Sequence, residues 1–128
     1  MSPQTLLRRT KSIAIVGVSN KPERASYQVA AYLQNAGYRL AFVNPAYQRV
    51  LGQPCYASLS DLPEPVDMVN IFRKAEDCPA IAEEAIRIGA KSLWLQLGIV
   101  SDTCRQLAAQ AHIDYIEDRC IKIEHTGL

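Results

Sequence analysis

The chain has 128 residues, a length that suits one folded domain with a single core, and we expect residues 1–128 to form that domain. Its formal net charge is +1, so no strongly basic field favours nucleic acid as a partner. No apolar run approaches the roughly 20 residues of a membrane span, and the N-terminal residues lack the apolar core of a signal peptide. The sequence therefore predicts a cytoplasmic domain that binds neither nucleic acid nor membranes.

The four cysteines, Cys55, Cys78, Cys104 and Cys120, are spread along the chain without a C-x-x-C pair. No histidine accompanies them at zinc-finger spacing, so the sequence predicts no metal site. In a reducing compartment they are free thiols, and three of them fit the role of small buried side chains. The two histidines have no nucleophile or acid beside them in the sequence, and we therefore predict no catalytic residue.

The segment from Ser12 to Tyr27 has the pattern of a strand, a glycine turn and a helix. Its strand is the apolar run Ile13–Val16, which is rich in β-branched residues and typical of a fully buried strand. Gly17 ends this run, and a helical pattern follows a cluster of turn residues. The helix N-terminus offers free N–H groups to an anion, and Lys21 and Arg24 add positive charge there. The segment favours a nucleotide-type ligand over an ordinary turn.

The turn departs from the dinucleotide-binding pattern G-x-G-x-x-G. Gly17 retains the tight-turn position, but Ser19 and Pro22 stand where the other two glycines would be. Ser19 provides a hydroxyl that can donate a hydrogen bond to a phosphate oxygen. The motif G-x-S is weak by itself.

The rest of the chain continues the alternation of strands and helices. Further strands are predicted at Tyr38–Val43, Val66–Phe72, Lys91–Leu97 and Ile113–Ile116, with a polar excursion at 46–54 and a short tail after Cys120. Helices are predicted to end at Gly37 and Gly89, and another to begin after Ser101. This order implies an α/β, Rossmann-like fold, a doubly wound five-stranded parallel sheet with helices on both faces.

In such a sheet, ligands bind beyond the carboxyl ends of the strands. Five strand ends are therefore predicted to form one extended pocket: Gly17–Lys21, Val43–Pro45, Phe72-Arg73, Gln96–Gly98 and Arg119-Cys120. A site for NAD usually has an acid after the second strand, where this chain has Asn44-Pro45, so the sequence argues against NAD. Arg49, Arg73 and Lys74 would suit a ligand rich in phosphate.

Six short motifs, taken in order, resemble the small stand-alone CoA-binding proteins, which are similar to the N-terminal domain of the succinyl-CoA synthetase α subunit. The motifs are Ile15–Ser19, Val43–Pro45, Pro65–Val69, Ile88–Lys91, Trp94–Gly98 and Asp118–Cys120. The resemblance implies a domain that binds coenzyme A (CoA) or an acyl-CoA as a small-molecule ligand. It also implies that ligase chemistry is absent, since the synthetase needs a second domain with a phosphorylated histidine.

The resemblance assigns a part of CoA to each strand end. Gly17, Val18, Ser19 and Asn20 would hold the diphosphate with Lys21 and Arg24 beside them; Val43, Asn44 and Pro45 would border the adenosine; Phe72 and Arg73 would line the middle; and Gln96, Leu97, Gly98 and Cys120 would face the pantetheine arm. Many relatives have Lys or Arg directly after the Asn-Pro pair, but this chain has Ala46 and Tyr47. The contact to the ribose 3′-phosphate is thus open, with Arg49 as a substitute.

Two alternatives stand beside CoA binding. One is an NAD(P)-dependent redox protein, and the other is a module that binds a protein partner at the same sheet edge without a small ligand. For Cys120, the alternative to a place beside the pantetheine thiol is an apolar plug beneath the last loop.

Overall fold

A computed structural model of the protein describes residues 2–128, in which strands and helices alternate along the chain. The helices are α1 (Pro3–Arg9), α2 (Ala25–Asn35), α3 (Cys78–Arg87), α4 (Asp102–Gln110) and α5 (Ile121–Thr126). The strands are β1 (Ser12–Val16), β2 (Arg39–Val43), β3 (Arg49–Val50), β4 (Gln53–Tyr56), β5 (Met68–Ile71), β6 (Ser92–Leu95) and β7 (Asp114–Ile116). Among residues 2–128, no helix combines the length and apolarity needed to span a membrane.

The sheet has the order β3-β4-β2-β1-β5-β6-β7 and is parallel except for the antiparallel pair β3 and β4. The predicted Rossmann-like α/β class is confirmed, and the five predicted strands correspond to β1, β2, β5, β6 and β7. The predicted number of strands is wrong, since the sheet has seven. The polar excursion at 46–54 contains most of the edge hairpin of β3 and β4, whose turn residues Leu51 and Gly52 both have positive φ.

The sheet is covered on both faces, as the alternation of its side chains requires. In β1, Ile13 and Ile15 pack on the face covered by α1, α2 and α5, whereas Ala14 and Val16 pack on the face covered by α3 and α4. All five residues of β1 are buried, which explains why its sequence is continuously apolar after Ser12. The fold is doubly wound around this central strand.

The chain reverses its direction of travel across the sheet at β1. The crossover through α2 leads from β1 to β2 on one side, while β5 pairs with β1 on the other side. Gly17 N–H donates to Val43 O at 2.9 Å, and Phe72 N–H donates to Val16 O at 2.8 Å. The carboxyl ends of β1, β2 and β5 therefore meet at the topological switch point, where ligands bind in such sheets.

The C-terminal segment, predicted as a tail, contains the helix α5. Ile121 is fully buried at the start of this helix, and the side-chain oxygen of Gln96 accepts a hydrogen bond from its backbone N–H at 3.3 Å. Contacts with α1 and α2 hold α5 against the same face of the sheet. One turn and a half of helix carries too little periodicity to be recognised in the sequence.

Candidate ligand-binding site

Gly17 allows the first loop to pass directly over the end of β5. Its φ is +87°, and a β-carbon at this position would overlap the backbone oxygen of Phe72. Any other residue would therefore meet both an unfavourable backbone conformation and a steric clash. Glycine is the one residue that lets the chain turn here from β1 into the loop 18–24.

A cavity of about 370 Å³ lies over this turn, and we call it the loop cavity. It is lined by Gly17, Ser19, Lys21, Arg24, Ala25, Ser26, Asn44, Tyr47 and Phe72. Lys21 and Arg24 are exposed, and neither forms an ion pair with another of the residues 2–128. Arg24 precedes the first residue of α2 without a side-chain cap, so the first N–H groups of this helix face the same region. The loop cavity is suited to an anion.

Two serine hydroxyls organise the loop beside this cavity. Ser26 Oγ accepts a hydrogen bond from Ser19 N–H at 2.9 Å, and Ser19 Oγ accepts one from Lys21 N–H at 3.0 Å. Each hydroxyl acts as an acceptor in these bonds, which leaves its own hydrogen for donation to a ligand. The loop is thus held in shape by bonds that keep the donors available.

The side chain of Asn44 links the loops that follow β1 and β2. Its Nδ2 donates to Val18 O at 2.9 Å, and its Oδ1 accepts from Ala46 N–H at 2.9 Å. The backbone N–H of Asn44 donates to Tyr56 O at 2.8 Å. The side-chain amide of Asn44 is therefore engaged in joining the two loops, at the position where an NAD site usually has an acidic residue for the ribose.

A second cavity of about 370 Å³ lies beyond the ends of β1 and β2, and we call it the β2 cavity. It is lined by Val16, Gly17, Val43, Asn44, Pro45, Ala57, Ser58, Arg73, Glu76, Asp77, Ala80, Ile81 and Glu84. Its charged groups are engaged with the protein itself. Arg73 pairs with Asp77 at 3.2 Å, and the Glu84 carboxylate accepts hydrogen bonds from Leu59 N–H and from the Ser60 hydroxyl. The cavity consequently offers little unpaired charge.

A third cavity, of about 560 Å³, extends over the ends of β5 and β6 and is the largest of the three; we call it the apolar cavity. It is lined by Ala25, Val29, Phe72, Arg73, Lys74, Gln96, Leu97, Ile99, Cys120 and Ile123. Leu97 and Ile123 are each 62% exposed, although they are large apolar side chains. The polar groups of this cavity are few, a composition that is typical of sites for small organic ligands.

Hydrogen bonds fix the loop that leads to Cys120 beside the apolar cavity. Trp94 is fully buried, and its Nε1–H donates to Arg119 O at 2.9 Å. Gly98 N–H donates to Asp118 Oδ1 at 2.7 Å, and Asp118 N–H donates to Ile99 O. These bonds hold Cys120, which is partly buried, at the wall of the cavity.

A polar network behind this loop involves Glu117. Its carboxylate accepts hydrogen bonds from Arg105 at 2.7 Å, from the Tyr115 hydroxyl at 2.8 Å and from Ser101 N–H at 3.2 Å. Burial opposes ionisation of Glu117, but these donors outweigh burial and lower the pKa of the carboxyl. Burial and the neighbouring carboxylate raise the pKa of the Tyr115 phenol. The network anchors the segment that leads from β7 to Cys120.

The three cavities share lining residues and are therefore neighbours along the carboxyl edge of the sheet. Gly17 and Asn44 line both the loop cavity and the β2 cavity, whereas Ala25 and Phe72 line both the loop cavity and the apolar cavity. Arg73 lines the β2 cavity and the apolar cavity. Twelve of the predicted site residues line this edge: Gly17, Ser19, Lys21, Arg24, Val43, Asn44, Pro45, Phe72, Arg73, Gln96, Leu97 and Cys120.

Three predicted site residues lie beside these cavities without lining them. The side chain of Val18 is fully buried in the core, Asn20 is exposed on the loop, and Gly98 is bonded to Asp118. Arg49, suggested for the 3′-phosphate, lies on the edge strand β3 and donates to Gly52 O. Arg49 is likewise not among the residues that line the three cavities.

The structure also places residues at the cavities that the sequence did not indicate. Val29 and Ile123 line the apolar cavity because α2 and α5 pack beside each other. Tyr47 lines the loop cavity, three residues after Asn44. Its position after the Asn-Pro pair was the one available signal, since the helix pairing depends on tertiary contacts.

The histidines lie apart from this edge. His125 Nδ1 shares a hydrogen bond of 2.8 Å with the Tyr32 hydroxyl, and its ring packs edge-on against Tyr32 and Tyr38. His112, the second residue after α4, has a positive φ of 57°. Within residues 2–128, no cluster of three or more His, Cys, Asp or Glu side chains is arranged to hold a metal ion.

The fold and this edge define a Rossmann-like domain with a cleft at its switch point. Residues 11–126 match the sequence profile of a family described as "CoA binding domain", and the chain belongs to this family. The family predicted from the six sequence motifs is confirmed.

Individual proteins are also similar to this chain. The chain is 38% identical over 120 residues to the uncharacterized protein YneT of Bacillus subtilis, an alignment that covers 94% of this chain and 89% of YneT. A solved structure of a hypothetical protein from Pyrococcus horikoshii has a TM-score of 0.95 and 36% identity, with 100% of this chain and 92% of that one covered. The chain is also 34% identical over 77 residues to acetate–CoA ligase (ADP-forming) I of Archaeoglobus fulgidus, where the match covers 60% of this chain and 11% of the ligase.

Proposed function

We propose that the protein binds CoA or a short acyl-CoA along the carboxyl edge of its sheet and has no catalytic activity of its own. The observation that carries this proposal is the continuity of the three cavities through shared residues, above all Gly17, Phe72 and Arg73. The β2 cavity, the loop cavity and the apolar cavity follow one another along this edge. An elongated ligand with an anionic middle and a largely apolar arm matches this order. The membership of the chain in a family of CoA binding domains supports the same ligand.

Each part of the ligand has a surface of matching chemistry. The diphosphate would lie in the loop cavity, where Lys21 and Arg24 have no acidic partner among the described residues and the start of α2 is uncapped. The adenosine would lie toward the β2 cavity, beside Asn44 and Pro45. The pantetheine arm would cross Phe72 into the apolar cavity and bring its sulfur toward Cys120.

The absence of a catalytic role is part of the proposal. Cys120 provides a thiol beside the expected position of the CoA sulfur, but among residues 2–128 no histidine or carboxylate side chain forms a hydrogen bond with this thiol to act as its base. Both histidines lie elsewhere, and Glu117 is bonded to Arg105 and Tyr115. A ligand-carrying or ligand-sensing role follows more readily from these groups than a reaction.

Calorimetric titration with CoA, NAD and NADP tests the proposal, and the small molecules released by denaturing the purified protein should be identified in parallel. We expect heat of binding with CoA and none with NAD, because Asn44 uses its amide to hold Val18 and Ala46. Tight binding of NAD or NADP without a CoA signal would overturn the proposal and favour an NAD(P)-dependent redox protein. If none of the three bound, a module for a protein partner would be the better interpretation.

A further inference from the structure

We infer that the apolar cavity receives the hydrocarbon chain of an acyl-CoA, so that the preferred ligand has an uncharged acyl group. This inference rests on the proposed function, and it specifies the chemical class of the group attached to the CoA sulfur. It predicts that an aliphatic acyl-CoA binds more tightly than free CoA and more tightly than an acyl-CoA that ends in a carboxylate.

The walls of the cavity carry the first argument. Leu97 follows β6, and Ile123 belongs to α5, yet both apolar side chains turn toward one space and are each 62% exposed. Val29, from α2, and Ile99 complete this wall. Exposed apolar side chains that have no role are usually scattered singly over a protein surface. Several of them around one cavity therefore indicate an apolar occupant. A hydrocarbon chain would remove this surface from water.

The distribution of charge carries the second argument. Two cations lie at the rim of the apolar cavity, but Arg73 is paired with Asp77 at 3.2 Å and Lys74 with Glu76 at 3.6 Å. A terminal carboxylate entering this cavity would lose hydration without meeting a free cation. Lys21 and Arg24 have no such partner among the described residues, but they line the loop cavity instead. The charges thus favour phosphate at one end and disfavour a carboxylate at the other.

The groups that would meet the thioester carry the third argument. Cys120 and Gln96 lie at the wall of the cavity, and the Gln96 side-chain oxygen is occupied by Ile121 N–H. The amide NH₂ of Gln96 remains as the donor for a thioester carbonyl. A cavity of about 560 Å³ lies within the usual size range of small-molecule sites, and it joins the loop cavity through Ala25 and Phe72.

The direct test is calorimetry with CoA, butyryl-CoA, hexanoyl-CoA, octanoyl-CoA and succinyl-CoA on the unmodified full chain. Each buried methylene should tighten binding by up to about fourfold until the chain outgrows the cavity. Succinyl-CoA should bind no more tightly than CoA. If CoA binds but all acyl chains bind equally, the inference fails while the proposed function stands; if CoA itself does not bind, both fail.

A pair of variants distinguishes the effect of the cavity wall on acyl-CoA affinity from the effect of any exposed apolar side chain. Ile123→Gln should reduce the ratio of octanoyl-CoA affinity to CoA affinity at least severalfold, since it puts an amide into the wall. Val100→Gln is the matched control, because Val100 is 52% exposed and apolar but does not line this cavity. An unchanged ratio in Ile123→Gln, or equal losses in both variants, would overturn the inference. The inference would also be overturned if the protein self-associated, if Ile123→Gln abolished this self-association and if the length of the acyl chain had no effect on affinity. The surface around Ile123 would then bind a second copy of the protein.

Discussion

The backbone oxygen of Phe72 occupies the space that a side chain at Gly17 would need. This contact joins the end of β5 to the turn after β1, and the hydrogen bond from Phe72 N–H to Val16 O at 2.8 Å holds the two strand ends together. Gly17 also donates to Val43 O on the other side. The geometry of the whole cleft therefore depends on the small size of one residue at the switch point.

We predict that Gly17→Ala is destabilising and also impairs CoA binding. An alanine would adopt the left-handed φ of +87° and would push against the Phe72 backbone, which cannot move without disturbing β5. The combined cost should be about 2–4 kcal/mol in the free energy of unfolding. Urea denaturation measures the stability, and calorimetry measures CoA affinity at a temperature where the variant is folded.

Gly89→Ala provides the control for this prediction. Gly89 has almost the same φ, +86°, but no heavy atom beyond its chain neighbours lies within 4 Å of the position its β-carbon would take. This variant should lose only about 1–2 kcal/mol and should retain its CoA affinity. Equal losses of stability in the two variants would show that the contact with Phe72 is unimportant.

The cations of the loop cavity provide a second prediction. The double variant Lys21→Ala, Arg24→Ala should bind CoA at least about tenfold more weakly, because a charge-assisted hydrogen bond contributes roughly 1.5–3 kcal/mol. Its affinity should also depend less on salt than that of the unmodified protein. Calorimetry at low and high salt measures both effects.

A double variant at Arg8 and Arg87 controls for the loss of two charges. Both residues are exposed, and neither is among those lining the three cavities. Alanine at both positions should leave CoA affinity nearly unchanged. If the two double variants behaved alike, Lys21 and Arg24 would be ordinary solvated cations.

The parts of the fold that were predictable are those with strong local patterns. Buried, β-branched runs such as Ile13–Val16 identified the parallel strands, and Gly37 and Gly89 marked helix ends where the structure shows positive φ. The β3-β4 hairpin was missed because its strands are short and its turn has Leu51 where asparagine or aspartate would signal a positive φ. Its formation depends on pairing with β2, which leaves no periodicity in the sequence.

The candidate site was predictable to the extent that it follows strand ends. Most of the residues that the switch-point rule selects line the cleft, since the carboxyl ends of parallel strands share one edge. It did not reveal that Asn44 is occupied in joining two loops, or that Arg73 is paired with Asp77. The sequence also does not predict Ile123 as a lining residue, because its place in the apolar cavity depends on how α5 packs against α2.

We predict that Glu117 makes a pH-dependent contribution to stability. Burial disfavours its charge, but Arg105, Tyr115 and Ser101 lower the pKa of its carboxyl in the folded protein below the ordinary value of 4.5. A lowered folded pKa means that the stabilisation is complete above the unfolded pKa and is lost as the pH falls through the folded pKa. Glu117→Gln should therefore be less stable than the unmodified protein at neutral pH, with a difference that shrinks below pH 4.5.

Urea midpoints across this pH range measure the difference for Glu117. Glu76→Gln is a suitable control, since Glu76 forms only a surface pair with Lys74 at 3.6 Å and both side chains are largely exposed. That variant should show little change at any pH. A constant difference between Glu117→Gln and the unmodified protein down to low pH would indicate a packing effect in place of an ionic one.

The final prediction concerns the position of Cys120 relative to the CoA sulfur. Of the four cysteines, Cys78 and Cys104 are fully buried, and Cys55 donates a hydrogen bond to Asn44 O; only Cys120 lines the apolar cavity. Burial raises the pKa of the Cys78 thiol to about 11, which suppresses its thiolate at neutral pH. We predict that CoA disulfide forms a mixed disulfide at Cys120 alone: its thiolate attacks one sulfur, and one CoA leaves as the thiolate.

Intact-mass spectrometry after incubation with CoA disulfide tests this prediction. The unmodified chain should gain one CoA, reversible by dithiothreitol, and a variant with Cys55, Cys78 and Cys104 replaced by serine should gain the same mass. Cys120→Ser should gain none, while Cys55→Ser, as the matched single replacement, should react like the unmodified chain. Excess CoA should slow the reaction at Cys120 if both ligands use the same cleft. If no adduct formed at Cys120 and Cys120→Ser bound CoA normally, the thiol would be an apolar plug beneath the loop that Trp94 holds through Arg119.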